Sequence, residues 1–239
     1  MKFAHDGQNE ARANTQETRV DCTGRMRPAR EVGGDFYDAF FLDDDNLFFA
    51  VGDVCGKGLP ASLFMVRAIS ALRAQTGTNY LDPSYIPEVI ARLNQQLCVY
   101  NDKQQFLTAF CGILNVATGD VRFVNAGHNP PLVSDAAGRF VYLEEPLNPI
   151  IGMIQGLVYR PGTVRLPSGA TLLLFTDGVT EAESVNACMY GEERLLELVN
   201  MGTLDHASDL VRNVVENVEG FVGEAPQSDD ITVLAIRRT

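Results

Sequence analysis

Acidic residues stand beside apolar runs at four points of this chain, and they constrain its fold more than any other feature. The four segments share a carboxylate at a predicted strand end, and they are residues 31–38, 47–58, 172–178 and 228–233. A carboxylate that closes a hydrophobic strand is costly unless it is solvated, paired or bound to a cation. Because the segments are spread over almost the whole chain, we expect folding to bring them together in one site.

The donors in these segments are oxygen atoms, with almost no histidine or cysteine among them. Hard divalent ions such as Mg²⁺ and Mn²⁺ prefer carboxylate, carbonyl and water oxygens. The pattern therefore predicts a metal-dependent site for phosphoryl transfer or hydrolysis. Any one aspartate could instead be an ordinary turn residue, because aspartate is common at strand ends and in turns. The adjacent Asp229 and Asp230 differ, since neighbouring carboxylates repel each other and favour a nearby cation.

Composition and charge limit the possible classes of protein. The chain has 239 residues, 46% of them hydrophobic, which suits one large domain with a substantial core. No apolar run approaches the roughly 18 residues needed to span a bilayer, and no apolar signal segment is present, so we expect a cytoplasmic protein. Five cysteines without a C-x-x-C pair indicate reduced thiols, not a disulfide framework or a zinc site. The net charge of −12 argues against nucleic-acid binding, which usually needs a basic patch.

Runs of strands interrupted by pairs of helices predict an α+β fold with antiparallel sheets. Residues 1–18 are polar and are predicted to be a linker or the remnant of an upstream regulatory segment, with residues 19–239 as the folded domain. The predicted strands are residues 36–42, 47–51, 106–115, 121–125, 158–166, 170–175 and 231–237. The predicted helices are residues 60–75, 83–100, 192–200 and 206–222. The acidic run at 43–46 is predicted to be a solvated turn outside the site.

Two tempting motifs do not match their patterns. Residues 52–58, GDVCGKG, are one residue short of the nucleotide-binding loop G-x-x-x-x-G-K-S/T, and glycine follows Lys57. Residues 33–36, GGDF, resemble the signature of diguanylate cyclases but lack its following glutamate, so a nucleotide cyclase stays an alternative. His128 lies in the conspicuous segment NAGHNPP, where we favour a turn residue bonded to the backbone over a catalytic group.

Five segments together resemble the type 2C (PPM) metal-dependent serine/threonine protein phosphatases, in the bacterial branch of sporulation and stress-response sigma-factor regulators. They occur in the family's order and are PAREVGGDFYD (28–38), GDVCGKGLPA (52–61), NAGHNPP (125–131), FTDGVTEA (175–182) and SDDITV (228–233). Each segment is modestly specific alone, but the ordered set is highly specific and covers about residues 20–239. The resemblance implies two antiparallel β-sheets packed as a sandwich and flanked by helix pairs.

The resemblance also implies a catalytic site with two Mn²⁺ or Mg²⁺ ions. Asp53 would bridge both ions, and the Val54 carbonyl would complete one shell. Further aspartates would bind directly or through water, and these are Asp35, Asp177 and Asp229. Asp230 is an alternative to Asp229 but is less favoured. Asp38 is a weaker candidate. A hydroxide held between two cations would attack the phosphoryl group, without a covalent enzyme intermediate.

The resemblance implies a substrate and partners as well. Arg30 matches the spacing of the phosphate-binding arginine of eukaryotic members, whereas Cys55 replaces their proposed general-acid histidine, which leaves that role to water or another group. The implied substrate is phosphoserine or phosphothreonine on a STAS-type anti-sigma-factor antagonist. An upstream sensor or receiver domain is also implied, and linkers of this kind suggest a homodimer. The alternative is a non-catalytic binding module with the phosphatase fold and a degraded metal site, against which the four acidic segments argue.

Overall fold

The computed structural model describes residues 11–12, 19–76, 82–102, 104–144, 146, 148–202 and 205–239. Its strands form two antiparallel sheets with helices packed outside them, and this confirms the predicted α+β sandwich. Of the predicted linker, Ala11–Arg12 form a short strand, and the rest of residues 1–18 lies outside the described residues. No helix in the described ranges is both long and apolar enough to cross a membrane.

The first sheet has five strands that carry two of the acidic segments. In spatial order they are β3 (Phe36–Phe41), β4 (Asn46–Val54), β5 (Leu107–Asn115), β6 (Asp120–Ala126) and β9 (Gly162–Arg165). In the turn between β3 and β4, Asp43 Oδ1 accepts hydrogen bonds from the backbone N–H groups of Asp45 at 2.9 Å and Asn46 at 2.8 Å. The acidic run at 43–46 is therefore a turn, as predicted.

The second sheet has six strands that carry the other two acidic segments. In spatial order they are β1 (Ala11–Arg12), β2 (Val20–Arg27), β11 (Ile231–Arg238), β10 (Thr171–Phe175), β7 (Leu132–Ser134) and β8 (Phe140–Tyr142). The strand β11 is central and pairs with β2 along its whole length and with β10 on its other side. It therefore fixes where the segment before it, with Asp229 and Asp230, meets the end of β10.

The helices cover the outer faces of both sheets. They are α1 (Leu59–Thr76), α2 (Ile86–Cys98), the single turn α3 (Asp177–Thr180), α4 (Glu192–Asn200) and α5 (Ala207–Val222). A buried cluster joins α1 and α2 to the five-stranded sheet, and a second cluster joins α4 and α5 to the six-stranded sheet. These are the two helix pairs that the resemblance implies.

The core between the sheets explains the long apolar run of β4. Phe48 and Ala50 point to the helix side, whereas Leu47, Phe49 and Val51 point to the opposite sheet. Both faces of this strand are buried, so its sequence reads as a continuous hydrophobic segment and not as an alternating one. Because β4 is packed on both faces, the position of its end, residues 52–54, is fixed relative to both sheets.

One predicted strand is too long. Residues 158–166 were expected to be extended throughout, but only Gly162–Arg165 pair with β6. Pro161 has no backbone N–H to donate to a ladder, and Val158 is exposed, so the chain before β9 is irregular.

Candidate metal centre

The four acidic segments meet at one edge of the sandwich, where strands of both sheets begin or end. Asp53 is the second-last residue of β4, and Asp35 directly precedes the neighbouring strand β3. Asp177 begins α3 just after β10, and Asp229 stands two residues before β11. The Asp53 carboxylate interacts electrostatically with the carboxyl groups of the other three. The fold thus forms one carboxylate cluster, consisting of Asp35, Asp53, Asp177 and Asp229.

Asp35 is the most deeply buried member of the cluster, with 2% of its surface exposed. Its Oδ2 accepts hydrogen bonds from Thr176 Oγ1 at 2.7 Å and from Thr232 Oγ1 at 2.6 Å. Thr176 directly follows β10 and Thr232 lies in β11, so both donors belong to the six-stranded sheet. Because Asp35 leads into the five-stranded sheet, these hydrogen bonds tie the two sheets together beside the cluster.

Burial and the charges of neighbouring carboxylates raise the pKa values of Asp35, Asp53 and Asp177. Burial, and then the charge of Asp53, raise the pKa of Asp35 well above its usual range, against the opposing effect of the two threonine hydroxyls. Burial and the charges of Asp177 and Asp229 raise the pKa of Asp53 to about 6. The pKa of Asp177 is raised by burial and by the charges of Glu181 and Asp229. A nearby cation would relieve this repulsion and favour the charged forms.

Asp230 has a different environment from its neighbour Asp229. Its Oδ1 accepts a hydrogen bond from the Ala29 N–H at 2.7 Å, and its Oδ2 accepts one from the Gly34 N–H at 2.7 Å. A Cβ atom at Gly33 would lie 2.2 Å from Asp230 Oδ2, so only glycine allows this close approach. Asp230 therefore fastens the loop before β3 to the start of β11. Its charge also acts on Asp35 and Asp53, so the choice of Asp229 over Asp230 as a ligand stays a prediction.

Lys57 lies at the exposed side of the cluster. Its Nζ is 2.8 Å from Asp229 Oδ2 and donates a hydrogen bond to the Ser228 carbonyl at 2.6 Å. The other oxygen of the same carboxylate, Asp229 Oδ1, accepts a hydrogen bond from the Asp230 N–H at 2.9 Å. Both carboxylate oxygens of Asp229 are therefore engaged by groups of the chain itself.

Asp38, the weaker ligand candidate, is paired away from the cluster. Its two carboxylate oxygens accept hydrogen bonds from Arg73 Nε and Nη2, each at 2.7 Å, in a bidentate ion pair. This pair fastens α1 to β3 and gives Asp38 a structural role. Arg30 is exposed on the loop that Asp230 holds, and its contact with a substrate phosphate stays a prediction.

His128 lies in the loop after β6, where the side chain of Asn125 holds its backbone. Its backbone N–H donates to Asn125 Oδ1 at 2.7 Å, and its carbonyl accepts from Asn125 Nδ2 at 2.8 Å. The ring Nδ1 lies 3.0 Å from Thr108 Oγ1. Burial lowers the pKa of His128 to about 4, so the ring is neutral at pH 7. The residue packs between strand ends as a neutral hydrogen-bonding group.

The donor set fits hard divalent cations. Carboxylates and a backbone carbonyl are the ligands that Mg²⁺ and Mn²⁺ prefer. A Cβ atom at Gly34 would lie 2.9 Å from the Val54 carbonyl oxygen and 3.5 Å from Asp53 Oδ1, so the glycine leaves both oxygens uncovered. Within the described ranges, no three His, Cys, Asp or Glu side chains are grouped closely enough to hold a metal ion as they stand. The fit therefore rests on donor chemistry and on the meeting of the four acidic segments at one edge, and the individual ligand roles stay predictions.

Three residues that shape the cluster are not predicted by the sequence reasoning, namely Thr176, Thr232 and Lys57. The two threonines lie within two residues of Asp177 and Asp230 in their segments, FTDG and DDIT. A hydroxyl next to a strand-end aspartate is a usable signal, because a buried carboxylate needs hydrogen-bond donors. The segment GDVCGKG gives no signal for the partner of Lys57, because that partner, Asp229, lies 172 positions further along the chain.

The two-sheet sandwich, with the carboxylate cluster at one edge, indicates the class of protein. The chain resembles the structure of the PP2C phosphatase domain and a regulatory fragment of the cell fate determinant SpoIIE from Bacillus subtilis, with a TM-score of 0.79. The two are 18% identical, and the likeness covers 92% of this chain and 61% of that chain. At this identity the comparison shows the fold, which is that of the PP2C phosphatase domains.

Sequence comparisons show the family. The chain is 29% identical over 236 residues to Protein IcfG of Synechocystis sp. (strain ATCC 27184 / PCC 6803 / Kazusa), covering 89% of this chain and 37% of that protein. It is 27% identical over 223 residues to phosphoserine phosphatase RsbU of Bacillus subtilis (strain 168), and the match covers 93% of this chain and 64% of that protein. The family model of Stage II sporulation protein E (SpoIIE) matches residues 43–239. The chain therefore belongs to the SpoIIE family. It spans less than two thirds of the length of each of these relatives.

Proposed function

We propose that this chain is a metal-dependent serine/threonine phosphatase that acts on a phosphorylated STAS-type anti-sigma-factor antagonist. The observation that supports it most is the carboxylate cluster around Asp53, at the edge of a sandwich of the SpoIIE family. The relative RsbU is named a phosphoserine phosphatase, which supports a phosphorylated side chain of a protein as the substrate. The Asp229 side chain is 43% exposed, so a substrate can reach the cluster from solvent.

The chain provides ligands for two Mn²⁺ or Mg²⁺ ions, and these are the carboxylates of Asp35, Asp53, Asp177 and Asp229 with the carbonyl of Val54. When bound, such ions activate a water molecule and offset the charge of the transferring phosphoryl group. Asp53 is central among the ligands because it interacts with each of the other three carboxylates.

Residues around the ligands hold them in place for this chemistry. The hydroxyls of Thr176 and Thr232 fix the orientation of the Asp35 carboxylate, and Asp230 fixes the loop from which Asp35 projects. Support of this kind matters because metal affinity depends on how firmly ligands are oriented. Cys55 is exposed where eukaryotic relatives carry a histidine, so water at the open edge is the proposed proton source for the leaving serine oxygen.

Release of phosphate from a phosphorylated STAS-domain protein tests this function. We expect turnover that requires Mn²⁺, stops with chelator and is lost in Asp53→Asn. Glu197→Gln is the matched control, because it also replaces a carboxylate by an amide but lies exposed on α4. Hydrolysis of p-nitrophenyl phosphate but not of the STAS protein would leave the phosphatase intact and reject the substrate. Absence of both turnover and Mn²⁺ binding would favour the non-catalytic binding module.

An upstream sensor or receiver domain is a further proposal, supported by the lengths of the relatives. A homodimer is proposed from the family resemblance alone. RsbU extends beyond the part that matches this chain, which covers 64% of it. The mass in solution, measured with and without residues 1–18, tests the dimer. The deletion must stop there because β2 begins at Val20 and pairs with the central strand β11. A monomer in both cases would contradict a dimer formed through this segment.

A further inference from the structure

We propose that Lys57 is a built-in cation of the metal centre, which competes with a divalent ion for Asp229 and must leave that carboxylate when the ion binds. This inference rests on the proposed metal centre and adds to it a residue of the chain that opposes metal binding.

The ammonium group of Lys57 joins two loops that carry proposed ligands. Lys57 follows β4, which contains Asp53, and it contacts Asp229 Oδ2 at 2.8 Å in the loop before β11. The Ser228 carbonyl accepts a further hydrogen bond from the same Nζ at 2.6 Å. An isolated surface ion pair contributes little to stability. This pair lies beside a cluster of negatively charged carboxylates, so its positive charge also offsets part of their repulsion.

The surroundings of the Lys57 ammonium group are those that a hard metal ion also prefers. Asp229 Oδ2 and the Ser228 carbonyl oxygen both lie within hydrogen-bond distance of Nζ. Carboxylate and carbonyl oxygens are the ligands of such an ion.

The ammonium group and a divalent ion exclude each other at Asp229. The Asp230 N–H occupies Asp229 Oδ1 and Lys57 occupies Oδ2, so an ion that binds either oxygen must share it or displace its partner. A metal–oxygen bond is about 2.0–2.6 Å long, which would place the ion within a few ångströms of Nζ. Two cations at that separation repel strongly wherever solvent screening is incomplete.

The loop that carries Lys57 is suited to release it. Lys57 stands between Gly56 and Gly58, which have positive φ angles of 96° and 78°. Its side chain is 41% exposed, and its four-carbon stem can carry the ammonium group into solvent. Release therefore needs rotation of a side chain and no rearrangement of either sheet.

The opposite relationship is also testable, because Lys57 could hold Asp229 in place and so improve metal binding. Calorimetric titration of Mn²⁺ into the parent and into Lys57→Met decides the sign. We expect Lys57→Met to bind about tenfold more tightly, which corresponds to about 1.4 kcal/mol. Arg212→Met is the matched control, since it also removes one positive charge but lies on α5 in a pair with Asp209. Its affinity should equal that of the parent.

The outcomes separate this inference from the proposed function. Equal or weaker binding by Lys57→Met overturns the competition and leaves the metal centre standing. Binding by Lys57→Met when the parent shows none supports the competition in its strongest form. Absence of Mn²⁺ binding in both proteins overturns the metal centre and the competition together.

A second readout uses the unaltered chain. It contains only three lysines, Lys2, Lys57 and Lys103, so acylation of each amine can be followed by mass spectrometry with the other two as internal references. Addition of Mn²⁺ should increase acylation of Lys57 relative to the references, because the released ammonium group reaches solvent. Unchanged or reduced acylation of Lys57, in a protein that calorimetry shows to bind Mn²⁺, would overturn the proposal.

Discussion

Thr232 Oγ1 donates a 2.6 Å hydrogen bond to Asp35 Oδ2, and this contact joins the two sheets at the carboxylate cluster. Thr176 Oγ1 donates to the same oxygen at 2.7 Å, and it also accepts a hydrogen bond from the Thr232 N–H. The three residues form a buried network with one carboxylate as its shared acceptor. A network of this kind stabilises the protein only while each member keeps its partner.

Replacement of Thr232 by valine should weaken both the metal site and the fold. Valine keeps the shape of the side chain but removes the hydroxyl, so Asp35 loses one of its two donors while it stays buried. We expect Mn²⁺ binding to weaken about 10- to 100-fold and the free energy of unfolding to fall by about 1–3 kcal/mol. Calorimetry and urea denaturation measure the two effects.

Thr232→Ser is the control for that experiment. Serine restores the hydroxyl, so Mn²⁺ affinity should return close to the parental value, even though the lost methyl group costs some packing. Parental Mn²⁺ affinity in Thr232→Val would show that the hydroxyl does not support the metal site.

Asp53→Asn should stabilise the chelator-treated protein at neutral pH, although it removes the proposed bridging ligand. Burial and the charges of Asp177 and Asp229 raise the pKa of Asp53 to about 6, so a charged Asp53 is unfavourable in the fold. A difference of about two pKa units corresponds to about 3 kcal/mol at most. We expect a gain of about 1–3 kcal/mol in urea denaturation at pH 7.

The pH dependence of that gain has a defined sign. The folded-state pKa of Asp53 is raised above its unfolded value of about 4, so the folded protein holds the extra proton between these two pH values. The stabilisation that protonated Asp53 gives to the folded state is fully present below about pH 4 and is lost as the pH rises through about 6. The advantage of Asp53→Asn should therefore disappear near pH 4, whereas Glu197→Gln should change little at any pH. A destabilised Asp53→Asn at pH 7 would contradict the repulsion.

The Mn²⁺ affinity of the parent protein should also rise with pH. A divalent ion binds the carboxylate form, so protons compete with it while Asp53 and its neighbours hold raised pKa values. We expect affinity to fall as the pH drops below about 6 and proton release on binding to be measurable in buffers of different ionisation enthalpy. Constant affinity from pH 5 to pH 7.5 would mean that these carboxylates do not take part in binding.

The fold was predictable where a strand or helix carries its own pattern. Residues 47–51 of β4 are apolar throughout because both faces of that strand are buried, and the amphipathic α5 shows its inner face at helical spacing. The strands β1, β2, β7 and β8 were not predicted. Two of them are three residues long and β2 mixes polar with apolar residues, so their strand state depends on pairing with other strands.

The site was predictable only in part, for a related physical reason. A carboxylate at the end of an apolar strand is conspicuous because it is costly, and this drew attention to Asp35, Asp53, Asp177 and Asp229. The partners of these residues are not local. The contact of Lys57 with Asp229 and that of Asp38 with Arg73 depend on which loops and helices the fold brings together, and no spacing rule encodes them.

Alanine substitutions at Asp229 and Asp230 should separate a metal ligand from a loop fastener. Asp229→Ala should lose Mn²⁺ affinity and change the stability of the chelated protein by no more than about 0.5 kcal/mol. The loss of its half-exposed pair with Lys57 is offset by relief of its repulsion of Asp53 and Asp177. Asp230→Ala leaves the N–H groups of Ala29 and Gly34 without their acceptor, so it should cost about 2–4 kcal/mol. Hydrogen exchange in residues 28–35 should then rise in Asp230→Ala alone. If instead Asp230→Ala kept parental stability and lost Mn²⁺ binding while Asp229→Ala kept both, the roles of the two aspartates would be reversed.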